Sequence, residues 1–95
     1  MVPDVSKISG ISEFTVKPEK TRQIYLKSDK AFLIVNKNTI EVRCDTLLSE
    51  NLKSKYETVM DSRYFGRGGI EIVLANQLSP EELQDLIRLS YNLTI

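Results

Sequence analysis

Two patterns divide this chain. From Thr21 to Cys44 short apolar segments separated by polar turns read as strands, with strict apolar–polar alternation in Thr39–Cys44, and in the two stretches that follow Asp45 and Ser79 apolar residues recur at spacings of three and four. Arg22–Lys27 and Ala31–Val35 predict strands joined by a polar turn at Ser28-Asp29-Lys30. A second turn, Asn36-Lys37-Asn38, leads into a third strand over Thr39–Cys44. Turns this short join antiparallel neighbours, because a parallel return needs a long crossover. In the third strand Ile40, Val42 and Cys44 should face a core while Glu41 and Arg43 face water, giving a meander with one solvated face. Glu13–Val16 predicts a short edge strand ended by Lys17-Pro18. Val5, Ile8, Ile11 and Phe14 are spaced by three, but Ser6, Ser9, Gly10 and Ser12 form helix poorly, so residues 1–12 are expected to be a partly ordered lead-in.

Asp45 suits a helix N-cap, and Leu48, Leu52, Tyr56 and Val59 or Met60 predict a helix from Thr46 to about Met60, with Lys53, Lys55 and Glu57 outside its apolar stripe. Ile70–Leu74 is a β-branched run that predicts a further strand, linked by Ala75-Asn76-Gln77 to a last helix. That helix carries the clearest start signal of the chain: Ser79 as N-cap, Pro80 at the first position and Glu82 completing a capping box. Leu83, Leu86, Ile87, Ser90 and Tyr91 then share one face of a helix near 80–91. Tyr91 is expected to cover the core and send its hydroxyl to a partner, and Ser90 to permit close helix–sheet contact. The expectation is a single α+β domain over residues 1–95: an antiparallel meander sheet with two helices packed on one face, making two layers.

Composition narrows the chemistry. There is no histidine, which removes the commonest general base and metal ligand, and a single cysteine, Cys44, excludes the usual structural zinc sets. Cys44 reads as a buried small hydrophobe, and Glu81-Glu82 as first-turn acids that complement the helix dipole. No catalytic constellation, metal site or cofactor is expected. No apolar run is long enough to span a membrane and no secretory leader is evident, so the expected location is cytoplasmic, in keeping with one unpaired thiol. Net charge is zero but uneven. Residues 1–69 hold twelve Lys/Arg against nine Asp/Glu, while residues 70–95 hold one against four. Such a chain is not broadly basic, which argues against tight non-specific DNA binding while leaving room for a local basic face.

The candidate for that face is Arg63-Tyr64-Phe65-Gly66-Arg67-Gly68-Gly69, which gathers two guanidiniums, two aromatic rings and three glycines in seven residues. Arginine forks clasp phosphate and rings stack on bases. The competing reading is that Tyr64 and Phe65 pin the loop to the core while glycines supply turns. The closing Gly-Lys-Ser/Thr of a P-loop is missing. On the nucleic-acid reading Arg63, Tyr64 and Arg67 are joined by Lys27, Lys30, Lys37 and Arg43, with Arg22 beside them. As an exposed pair, Arg63 and Arg67 would contribute little to stability.

The C-terminal run Leu86-Ile87-Arg88-Leu89-Ser90-Tyr91-Asn92-Leu93, of the form L-I-x-x-S-Y-x-L, resembles the end of the MmcQ/YjbR family of small bacterial proteins. Glu41-Val42-Arg43-Cys44-Asp45-Thr46-Leu47-Leu48 is similar to that family's strand-to-helix junction, and Lys55–Met60 to the end of its following helix. Asp61–Gly69 corresponds to a loop with a tyrosine-x-asparagine-lysine signature before a strand with tryptophan. Here the Asn-Lys pair and the tryptophan are absent. The resemblance covers about residues 22–95 and implies a frataxin-like (CyaY-like) or secretion-chaperone-like fold and DNA as partner, bound through a basic sheet and loop surface. The alternative is a non-catalytic interaction module with a protein partner or a second copy of itself, and an enzyme is a distant third.

Overall fold

Ser28 and Asp29 both take left-handed backbone, with φ of +50° and +69°. A turn with two positive φ values matches the twist of antiparallel strands, and it closes the hairpin between β2 (Gln23–Lys27) and β3 (Lys30–Val35). In this computed structural model, which describes residues 3–95, β1 (Thr15–Pro18) flanks β2 and β4 (Thr39–Arg43) flanks β3. After the helix α1 (Thr46–Lys55) the chain makes a second hairpin, β5 (Val59–Ser62) and β6 (Gly66–Val73), and ends in α2 (Pro80–Leu93). The sheet order is β1-β2-β3-β4-β6-β5 with every pairing antiparallel. Both helices pack on one face, so the two-layer α+β architecture expected from the pattern is the one observed.

The main core lies between sheet and helices and includes Phe32, Leu33, Ile40, Val42, Ile70, Ile72, Leu83, Leu86 and Ile87. Leu48 and Leu52 of α1, and Tyr56 just after it, pack against it half-buried. Asp45 caps α1 through Leu48 N–H at 2.9 Å, and Ser79 and Glu82 form the reciprocal capping box of α2. The Tyr56 hydroxyl donates to Glu82 at 2.9 Å and ties the two helices together.

The close fit of α2 to the sheet rests on an irregularity. Between Tyr25 and Leu26 the β2–β3 register slips, leaving Phe32 as an extra residue that faces the helices beside Leu33. The β3–β4 ladder reaches only Leu33 and Val42. The backbone groups just beyond it meet the buried Ser90 hydroxyl, which donates to Phe32 O at 2.5 Å and accepts from Arg43 N at 2.7 Å. Tyr91 stands edge-on to Phe32, with ring centroids 5.0 Å apart, and its hydroxyl donates to Glu13 O at 2.8 Å.

Several sequence expectations change. The edge strand expected at Glu13–Val16 lies at Thr15–Pro18, with Lys17 and Pro18 inside it. The strand expected at Ile70–Leu74 runs from Gly66 to Val73, so that Gly66–Gly69 of the candidate loop belong to β6, where they pair with β5 and β4. The lead-in is packed over residues 3–12, while Met1 and Val2 lie outside the described residues. Asp4 caps a one-turn 3-10 helix, Val5–Lys7, and Val5, Ile8 and Ile11 enter the main core. Its weak helix propensity is offset by α2, because Arg88 Nε donates to Ser9 O at 2.6 Å and Tyr91 holds Glu13. The helix expected to reach Met60 ends at Lys55. Tyr56 caps it in extended backbone, and Val59 pairs with Ile72 as the start of β5, where burial against the core outweighs continued helix. The sheet face away from the helices is not simply solvated. Ile24, Ala31 and Ile34 are buried there with Leu26 and Phe65 against them, and Glu41, expected to meet water, is only 1% exposed.

Because Ser90 serves a donor and an acceptor that the ladder leaves unpaired, Ser90→Ala should destabilise the fold by about 1–3 kcal/mol. Tyr91→Ala removes a core ring and should cost roughly 3 kcal/mol or more. Urea unfolding of the two variants checks this, and unchanged midpoints would contradict these interactions.

Candidate functional site

Glu41 on β4 and Glu71 on β6 are direct partners across the sheet, and the pleat sends both side chains to the face opposite the helices. Both are buried, at 1% and 3% exposure. Like charges set opposite each other on neighbouring strands repel, and the local structure supplies donors to match. Glu41 accepts from Asn36 Nδ2 at 2.9 Å, from Ser62 Oγ at 2.8 Å and from the Tyr64 backbone N–H at 2.8 Å. Glu71 accepts from Thr39 Oγ1 at 2.8 Å and from Arg63 twice, through Nε at 2.9 Å and Nη2 at 2.8 Å. Burial by itself would raise the Glu41 pKa. The bonds from Asn36, Tyr64 and Ser62, together with the Arg63 charge, outweigh it and hold the carboxyl below its ordinary value.

These bonds fold the β5–β6 turn back over the sheet. Phe65 N–H donates to Ser62 Oγ at 2.8 Å, and the Phe65 ring joins the smaller core of Ile24, Ala31 and Ile34. Gly66 takes φ +62°, and a side chain on Gly69 would stand 2.5 Å from Val42 O and 2.7 Å from Phe65 Cβ. Only glycine admits this approach of the turn to β4. Tyr64 remains 43% exposed, edge-on to Phe65 at 5.0 Å, with the Arg22 guanidinium 5.4 Å from its ring centroid. A groove of about 490 Å³ opens beside it, lined among others by Lys20, Arg22, Asn36, Glu41, Arg63 and Tyr64.

The residues marked in the sequence do not form one continuous surface. Arg63 and Tyr64 line the groove, and Lys37 is exposed in the β3–β4 turn next to Asn36. Arg43 lies under the turn, donating from Nε to Ala31 O at 2.8 Å with its guanidinium 4.9 Å from the Phe65 centroid. Arg67 faces a separate groove with Thr46, Ser49, Glu50, Lys53 and Asp61. Lys27 serves the helix layer: its Nζ donates to Tyr91 O at 3.0 Å and stands 4.3 Å from that ring, supplying a cation to the end of a helix whose last turn holds none. Lys30 pairs directly with Lys27 at the β2–β3 turn. The six residues of β3 place that turn roughly 17–20 Å from the turn carrying Lys37.

Lys20, Asn36, Glu41 and Glu71 belong to the site without having been singled out. For the two glutamates the signal was an acid in the middle of each of two apolar strands, Ile40-Glu41-Val42 and Ile70-Glu71-Ile72, whereas Lys20 and Asn36 sit in turns and carried none. The Cys44 thiol is buried, and its pKa is pushed up to about 11 by that burial and by Asp45, which leaves it a poor nucleophile. Among the described residues no cluster of three or more potential ligands is placed to hold a metal ion, and no helix is long and apolar enough to cross a membrane. Comparison with protein-family models, with curated proteins and with solved structures finds no match to this chain.

The Arg63–Glu71 pair revises the expectation that Arg63 is dispensable for stability. Arg63→Ala strands a buried carboxylate and should destabilise by about 1–3 kcal/mol, whereas Arg67→Ala should fall within about 0.5 kcal/mol of the parent. Thermal melts of the two variants distinguish them. A second expectation follows from the depressed Glu41 pKa. Its contribution to stability is present above the unfolded value of about 4.3 and is lost as pH falls through the lower folded value. Unfolding midpoints should therefore drop below about pH 4.3, and Glu41→Gln should flatten that drop. Equal acid slopes in both proteins would refute the assignment.

Proposed function

We propose that the open sheet face binds nucleic acid, with the Tyr64 groove at its centre. The observation that carries this reading is the half-exposed Tyr64 ring with the Arg22 guanidinium over it, itself oriented by a 2.8 Å bond from Nε to Glu19 Oε1, beside an Arg63 side chain that is 74% exposed. Aromatic rings and guanidiniums are the groups that stack on bases and bond phosphates. Around the groove and its rim, Lys17, Lys20, Arg22, Lys37 and Arg63 modestly outnumber Glu19, Glu41 and Glu71. The resemblance to the MmcQ/YjbR family supports DNA as the partner and a bacterial, cytoplasmic setting, which the single reduced-type thiol of Cys44 suits. The reading takes the hydrogen-bonded Glu41 and Glu71 and the buried Cys44 thiol as structural groups, so the proposed role is binding.

A second reading, a protein partner or a second copy, draws on the helix layer, where Leu47, Leu89 and Leu93 are 75%, 46% and 47% exposed. The β1 edge favours it less, since Lys17 and Pro18 discourage strand addition there.

Titration against single-stranded DNA, duplex and RNA over a salt series tests the first reading. Lys20→Ala/Arg22→Ala should lower the slope of log affinity against log salt by roughly 0.7 to 0.9 for each phosphate no longer neutralised. Lys30→Ala and Arg67→Ala should leave it unchanged. No affinity for any nucleic acid at about 50 mM salt, where phosphate attraction is strong, would reject the proposal. Concentration-dependent association in sedimentation would then favour the second reading.

A further inference from the structure

Arg63 has two edges capable of paired hydrogen bonds, and Glu71 occupies only one. The Nε–Nη2 edge meets the carboxylate at 2.9 and 2.8 Å, while Nη1 makes no hydrogen bond to protein among the described residues. The outer Nη1–Nη2 edge is therefore open to a ligand, on a side chain that is 74% exposed and lines the groove and whose guanidinium is already fixed in orientation by a buried acid. Tyr64 is fixed in the same way, through its backbone bond to Glu41 at 2.8 Å and its packing against Phe65. One rigid turn thus presents a phosphate clasp and a stacking ring on consecutive residues.

Building on the nucleic-acid reading, we propose that the partner is single-stranded: a phosphate takes the outer edge of Arg63 while an adjacent unpaired base stacks with Tyr64 and Arg22. Three features favour a single strand over a duplex. A base can reach Tyr64 only when it has left its own stack. The helices that a major groove would admit lie on the opposite side of the sheet. The surplus of cations around the groove is small, so stacking must supply affinity that phosphates alone do not. Glu41 and Glu71 act here as positioning residues, holding the turn without touching the strand.

Fluorescence anisotropy with a labelled oligothymidylate and a duplex of equal length tests this. The single strand should bind at least about tenfold more tightly than the duplex, and Tyr64→Leu should weaken it by about fivefold to a hundredfold with an unchanged melting temperature. Arg63→Lys keeps the charge but loses the second edge. It should weaken single-strand binding while leaving the salt slope near that of the parent, and a melting curve confirms that the variant is folded. Duplex binding equal to or tighter than single-strand binding, or an indifferent Tyr64→Leu, would overturn the inference while nucleic-acid binding itself stood. Binding of neither probe, nor of a single-stranded RNA of equal length, by the parent protein would remove the underlying reading together with this one.

Discussion

The buried carboxylates of Glu41 and Glu71 are the constraint around which the open face is organised. Directly opposed residues on antiparallel strands sit about 5 Å apart, and two unit charges at that distance repel by roughly 3 kcal/mol at an effective dielectric near 20. Desolvation adds to that cost. Six hydrogen bonds answer it, three to each carboxylate, drawn from Asn36, Ser62 and Tyr64 for one and from Thr39 and Arg63 for the other. Four of the six come from the segment Ser62–Tyr64, so satisfying the acids and folding the turn onto the sheet are one event.

From that event the candidate site follows. A turn fixed by buried acids can bring Phe65 down onto Ile24 and Ile34, and Gly69 clears the space beneath it. With Phe65 committed to the core, Tyr64 is left half-exposed, and with Glu71 on one side of Arg63 its other side is left toward solvent. The two readings of the loop in the sequence, a structural pin and a ligand site, are therefore compatible. Each falls on different atoms of the same residues.

The opposite face is organised by α2. A slipped register in the β2–β3 hairpin leaves backbone groups that the ladder does not pair, and the Ser90 hydroxyl fills that position. One turn of helix then carries several attachments: Ser90 to β3 and β4, Tyr91 to Phe32 and Glu13, and Arg88 to Ser9. The N-terminal segment orders because α2 holds it, although its own residues favour no regular structure. Lys27, drawn to the C-terminal end of the same helix, is taken away from the groove.

The sequence alone determined the layers. Short strand-like segments in Arg22–Cys44, alternation in Thr39–Cys44, short polar turns and the Ser79-Pro80-Glu82 signal specify antiparallel strands and a capped helix through interactions that span only a few residues. The structural parts played by Ser90 and Tyr91 were legible for the same reason, since both lie on the apolar stripe of α2. Three matters needed the tertiary structure. Helix α1 stops at Lys55 because Val59 has a partner in Ile72, which lies on another strand. The lead-in is ordered by its bonds to Arg88 and Tyr91, more than seventy residues away. Glu41 reads as solvent-facing because alternation reports which side of a sheet a residue faces and not what covers that side. The cover is the turn Arg63–Phe65, and its position depends on Glu71, thirty residues from Glu41 in the chain and directly beside it in the sheet.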